Sequence, residues 1–283
     1  MFDRAKIVDE NFLLLIQNGN LPSSKYKLNL SDTNFSTEDL VSVFESQVIS
    51  RHMDLKARAL KNEGKCFYTI GSSGHEGNAV FGKVFQIQDM AFLHYRSAPL
   101  FIERSKKQNG TTPIYDLALS FMASSDDPIS GGRHKVIGSK ELNIPPQTST
   151  IASHLPKAVG TAFSIDHAKG LDISERCLND ESIVICSFGD ASANHATALS
   201  AFNTARLISN QGGHVPIIFI CEDNGLGISV PTQANWIEKN FKNHNNLKYI
   251  KTDGLNLIDL FNKTLIAEKT CRSKRKPVFL HMK

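Results

Sequence analysis

The chain has 283 residues, of which 41% are hydrophobic and 21% charged, with a formal net charge of +4. That is long and apolar enough for one large α/β domain or two small ones, and it excludes disorder as the default. The mild charge, with no Lys/Arg cluster interleaved with aromatics, points to no nucleic acid, and no stretch reaches the ~18 apolar residues that would span a membrane. Five cysteines without a CxxC spacing fit a reducing compartment. Met1-Phe2-Asp3-Arg4 opens no apolar leader, so the expected location is cytoplasmic.

Residues 1–35 read as an N-terminal arm packed on the surface or on a partner. Its Phe12-Leu13-Leu14-Leu15-Ile16 run is a short helix, broken by Asn18-Gly19-Asn20 and Leu21-Pro22-Ser23-Ser24. A single domain over 36–283 begins with a helix: Ser36 is an N-cap, and Glu38 and Asp39 suit the positive end of the dipole. Leu40, Phe44, Val48, Met53 and Leu60 recur near helical spacing, up to a stop at Asn62-Glu63-Gly64. Gly71-Ser72-Ser73-Gly74-His75-Glu76-Gly77 is a turn opening another helix. It either offers backbone N–H groups to an anion or caps without a ligand, and His75-Glu76 reads as a helix-start cap.

Further on, Ser130-Gly131-Gly132-Arg133-His134-Lys135 is a glycine-rich loop, and a second loop precedes an Ala-rich helix over 153–168. Next come an apolar strand ending in Ser187-Phe188-Gly189-Asp190-Ala191, a helix over 191–207 with Leu199, Phe202 and Leu207, and a second apolar strand leading to Asn224. In a parallel sheet a carboxylate and a carboxamide at two such strand ends meet on the carboxyl edge, where ligands bind. Two oxygen donors there suit a hard cation such as Mg2+ anchoring phosphate. A helix over 255–269 and a strand over 277–282 follow, and the basic run Arg272-Ser273-Lys274-Arg275-Lys276 between them reads as a solvated loop. The chain stops inside that strand, so a fragment of a longer protein is expected.

From about residue 37 onward the sequence resembles the alpha part of the thiamine-diphosphate-dependent first component of 2-oxoacid dehydrogenases, closest to the branched-chain type with fused alpha and beta parts. The resemblance rests on motifs in family order: Gly74-His75-Glu76-Gly77, His94-Tyr95-Arg96, Gly131-Gly132-Arg133-His134-Lys135, the run from Ser149 to Gly160, Gly189-Asp190-Ala191, and the run from Glu222 to Ser229. It implies a three-layer α/β fold with a mostly parallel sheet, of the thiamine-diphosphate-binding type. By the same resemblance Asp190, the Asn224 side chain and the Leu226 carbonyl hold Mg2+. Gly189 and Ala191 offer N–H groups to the cofactor's diphosphate, which Tyr95 and Arg96 also contact. Ser149 and Ile151 meet the aminopyrimidine, and His134 is a catalytic candidate near substrate, with a solvated loop as its plain alternative.

The departures are Ala191 where the family has Gly, Asp223 where it has Asn, and a longer interval between Asp190 and Asn224, absorbed by a turn at Ser209-Asn210-Gln211-Gly212-Gly213. His154 stands where a potassium-binding loop has an amide, so no such ion is expected, and His154 reads as structural. The implied reaction is decarboxylation of a 2-oxo acid and acyl transfer to the lipoyl arm of an acyltransferase. The carboxylic acid that activates the cofactor belongs to the beta part, so the expected assembly is a dimer or heterotetramer. The alternatives are a pyruvate or acetoin dehydrogenase alpha chain, or a non-catalytic cofactor-binding assembly module.

Overall fold

A computed structural model describes residues 4–20, 30–171, 173, 175–228 and 230–283. The break expected at residues 21–24, and Ser229 of the last motif, lie outside these. From the amino end the chain runs α1 (Arg4–Gln17), α2 (Thr37–Asn62), α3 (Ala79–Val84), β1 (Met90–Phe92), α4 (Ala98–Ser105) and α5 (Pro113–Met122). There follow β2 (Ile137–Ser139), β3 (Ile144–Gln147), α6 (Leu155–Gly170), β4 (Val184–Gly189), α7 (Ala196–Asn210) and β5 (Ile217–Glu222). The last third holds β6 (Leu226–Gly227), β7 (Val230–Pro231), α8 (Trp236–Phe241), β8 (Lys248–Thr252), α9 (Leu257–Lys274) and β9 (Val278–Met282).

The central sheet is wholly parallel, in the order β1-β4-β5-β9-β8. Alternation along its strands builds two cores. Ile185, Ile218, Ile220, Val278 and Leu280 face one side with Phe81, Phe101 and Phe261. Val184, Cys186, Phe188, Phe219, Cys221 and Phe279 face the other with Phe202 and Phe241. Helices cover both, which is why the strands are near-continuous apolar runs and the molecule has three layers.

Several elements differ from the sequence reading, for identifiable reasons. The helix near residue 12 spans Arg4–Gln17. Phe35, placed in the arm, stacks on Phe261 with ring centroids 4.2 Å apart. In α2 the apolar series misidentifies the buried face: Phe44 and Val48 are exposed, whereas Val43, Ser46 and Ser50 are buried. The serines are buried because they have partners, Ser46 Oγ donating to Glu103 Oε2 at 2.6 Å and Ser50 Oγ meeting Ser72 Oγ at 2.7 Å.

The helix expected at 191 starts at Ala196, behind a 3-10 turn at Asp190–Asn194, and His195 caps it. Leu199 and Leu207 point outward; Ala198, Ala201 and Ala205 form the buried face with Phe202, and their small size lets α7 lie close to the sheet. The basic run is not a solvated loop. It forms the last turn of α9, ended by Arg275 in the left-handed conformation (φ 51°). Arg272 forks onto fully buried Asp89, with Nη1 and Nη2 donating to the two oxygens at 3.1 and 2.8 Å.

Candidate functional site

All strands of the main sheet point the same way, so their carboxyl ends form one edge. Gly189, the last residue of β4, pairs with Glu222, the last of β5, so Asp190 and Asp223 follow side by side just past that edge and Asn224 comes one residue later. A cavity of about 610 Å3 opens there. Of the residues expected from sequence it brings together Tyr95, Arg96, Ile151, Gly189, Asp190, Ala191, Asn224 and Leu226. Ser149 is not in its wall and lies 3.5 Å from the Tyr68 hydroxyl. His134 is not there either: it is packed among Phe67, Tyr68 and Phe121, with neither ring nitrogen partnered. Burial pushes its pKa down.

The Asp190 carboxylate accepts from the Thr232 hydroxyl. Burial, with the neighbouring Asp223 carboxylate, holds Asp190 above the ordinary carboxylate range, against the pull of Thr232 and of the Ala191 N–H. Asp223 is itself stabilised as a charge: burial works to raise it, but His281 Nε2 at 2.8 Å outweighs that and keeps it low. His281 Nδ1 meets the Tyr249 hydroxyl at 2.6 Å. A second carboxylate beside Asp190 is tolerated because it has this partner.

Ala191 does not adopt a left-handed φ, so the position does not need glycine. The glycine sits opposite: a Cβ on Gly227 would lie 3.0 Å from that of Ala191, so β6 can close against the Asp190 turn. Ile228, next in the wall, has φ 61°, a strained state for a β-branched residue that tends to occur at working sites.

The other wall was not anticipated. Arg51, Asp54, Leu55 and Arg58 of α2 face the cavity, at the spacing of one helix face. The signal was present in the sequence, but as a charged stripe rather than an apolar one. Asp54 accepts from the Ser72 N–H at 2.7 Å, tying the glycine-rich turn to α2. Arg51 donates to Ser73 and pairs with Glu76 at 2.5 Å, and Arg96 Nη1 donates to the Gly71 carbonyl at 2.6 Å. The wall therefore holds three guanidinium groups and the carboxylates of Asp54 and Asp190, with Arg51 already paired to Glu76. His75 stands at the N-cap of the 3-10 turn Glu76–Asn78, as expected, but its side chain makes no cap hydrogen bond and pairs instead with Glu222, both buried.

The pieces are thus a cavity lined by Arg51, Arg58 and Arg96, with the oxygen-bearing side chains of Asp190 and Asn224, and residue Leu226, in the same wall. Hard cations take such donors.

The family model described as dehydrogenase E1 component matches residues 44–283. Among curated proteins the chain is similar to the 2-oxoisovalerate dehydrogenase alpha subunits, named as mitochondrial, of Caenorhabditis elegans and Mus musculus. The first is 27% identical over 256 residues, covering 88% of this chain and 54% of the relative. The second is 26% identical over 254 residues, covering 88% and 53%. The chain thus spans about half the length of these relatives. Among solved structures a transketolase mutant from Pichia stipitis superposes with a TM-score of 0.54 at 15% identity, over 87% of this chain and 36% of that one. That likeness concerns the fold.

Proposed function

The chain belongs to the dehydrogenase E1 component family, and from that premise we propose that it is the alpha half of a thiamine-diphosphate-dependent dehydrogenase of a branched-chain 2-oxo acid. The observation that carries this reading is the pairing of Asp190 and Asn224 at adjacent parallel strand ends, inside an arginine-lined cavity. The names of the relatives, 2-oxoisovalerate dehydrogenases, favour the branched-chain substrate.

The oxygen donors fit Mg2+: carboxylate, amide and backbone carbonyl are hard ligands that leave positions for phosphate oxygens. Asp190, Asn224 and the Leu226 carbonyl would hold the ion, while Arg96, with Arg51 and Arg58 across the cavity, would bind the diphosphate. Bound here, thiamine diphosphate would supply the nucleophilic carbon and electron sink for decarboxylation. Asp54 holds the Gly71–Ser73 turn in place, and Ile151 gives the wall an apolar element. The beta part would complete the site and bring the activating carboxylic acid, and the acyl group would leave on the lipoyl arm of an acyltransferase.

The test is turnover by the full-length protein with its beta part and a lipoyl domain. The proposal expects CO2 release and lipoyl acylation fastest with branched 2-oxo acids. Faster turnover of pyruvate would move the chain to the pyruvate type, and cofactor binding without turnover of any 2-oxo acid would mark an assembly module.

A further inference from the structure

Asn224 is useful to a cation only if its oxygen, and not its nitrogen, faces the ion. Which way the amide lies follows from fixed backbone donors. The Leu226 N–H lies 3.0 Å from Asn224 Oδ1. An N–H can only donate, so the amide atom opposite it must be oxygen. The amide nitrogen then faces His75 Nε2 at 3.2 Å, and Nε2 must accept.

The far side of His75 is fixed in the same way. The Leu100 N–H donates to Asn78 Oδ1 at 2.9 Å, so Asn78 Nδ2 donates to Glu222 Oε2 at 3.2 Å. His75 Nδ1 lies 2.7 Å from that same oxygen and carries its proton towards it. His75 and Glu222 are 3% and 1% exposed, so water is no ready substitute for either bond. Two backbone N–H groups, from Leu100 and Leu226, thus define every donor and acceptor in between.

We propose that His75 is a positioning residue for Asn224: Glu222 fixes the imidazole proton on Nδ1, Nε2 holds the amide nitrogen, and Oδ1 is left with a lone pair for a cation in the cavity. Without the Nε2 acceptor the amide nitrogen loses its partner and the Leu226 N–H alone holds the amide, so the direction of Oδ1 towards the cavity is no longer fixed from both ends. The proposal rests on the reading of Asn224 as a cation ligand. It gives Glu222, at the end of β5, and the His75 turn a joint purpose that neither has alone.

Two substitutions separate positioning from packing. In His75→Gln the side-chain oxygen falls near the place of Nε2 and can still accept from Asn224. In His75→Asn the amide N–H falls near Nδ1 and can still meet Glu222, but nothing reaches Asn224. The readout is the Mg2+ concentration that half-saturates thiamine diphosphate binding by the full-length assembled protein, measured by calorimetry, with melting temperature recorded alongside.

His75→Asn should raise that concentration roughly 10-fold or more, as loss of a ligand's outer partner does at other metal sites, and His75→Gln should restore most of it. Equal shifts in the two variants, or no shift in His75→Asn, would overturn the proposal. If His75→Asn does not fold, Glu222→Met serves: it keeps much of the volume and removes both acceptor oxygens, so nothing holds the imidazole proton on Nδ1; the same direction is expected and an unchanged Mg2+ dependence counts against the idea. Asn224→Ala tells the two readings apart. Unaltered Mg2+ dependence there removes Asn224 from the site. Lost dependence there, with wild-type behaviour in His75→Asn, leaves Asn224 in place and rejects only the role of His75.

Discussion

His154 shows how one buried ring sets a pH response. Burial holds its pKa down at about 4, against the raising effect of its bond to the Ser187 carbonyl, 2.7 Å from Nε2. An unfolded histidine takes up its proton near pH 6.5, so between roughly 6.5 and 4 the unfolded chain binds more protons than the fold. The contribution of His154 to stability is therefore complete above about pH 7 and shrinks as pH falls through that window, by on the order of 3 kcal/mol in all. His154→Gln keeps a donor for Ser187 but cannot titrate. Urea unfolding across pH 4–7 should show a shallower loss in the variant, and identical slopes would contradict the assignment. Arg96 offers a second test at this scale. One guanidinium nitrogen is held by the Gly71 carbonyl, which leaves others for phosphate. Arg96→Lys keeps the charge but loses the fork, so thiamine diphosphate affinity at saturating Mg2+ should fall about ten-fold. Equal affinity would take Arg96 out of the site.

Among the elements, the strands were the most legible. The runs ending at Gly189 and Glu222 are apolar throughout because both faces are buried, and the motifs at their ends fixed Asp190 and Asn224 in advance. Ser36 was legible too, and it forms a reciprocal box with Asp39. The turn expected at residues 209–213 is present, with Gly213 N–H donating to the Ile208 carbonyl. What could not be read was which side of a helix faces in. In α2 and α7 most buried positions are serines and alanines, beside Val43 and Phe202, and only the partner across the interface, Glu103 or the sheet, explains them. The β8 strand, Lys-Tyr-Ile-Lys-Thr, gave no apolar run because it lies at the sheet edge. Arg272 was hidden for a similar reason, since Asp89 is far away in sequence. Breaking a buried pair by removing one partner costs about 3–5 kcal/mol. Asp89→Ala takes one of two carboxylates from Arg272, which keeps Glu268, and leaves the Ile183 N–H without its acceptor; it should lower stability by up to that order in denaturant titration, and a change within experimental error would mean the pair is solvated after all.

Across the whole molecule the cavity is open and the surface is unusually apolar in places. Phe12, Leu13, Leu14, Leu15 and Ile16 of α1 are each at least 41% exposed, as are Val41 and Phe44 of α2. Apolar surface of this kind marks contacts with other chains. Residues 1–283 alone, 31.3 kDa, should therefore elute as a larger species and show no decarboxylation above a cofactor-free blank. Turnover by a monomer would show that an acid within this chain activates the cofactor.

The central claim is that Asp190 and Asn224 hold a cation that anchors thiamine diphosphate at the carboxyl edge of the sheet. Calorimetric titration of the full-length assembled protein with thiamine diphosphate, with and without Mg2+, tests it most directly. The account predicts saturable, Mg2+-dependent binding to the wild type, lost in both Asp190→Ala and Asn224→Ala while melting temperatures stay close to wild type. Unchanged affinity in both variants, or binding indifferent to Mg2+, would contradict it.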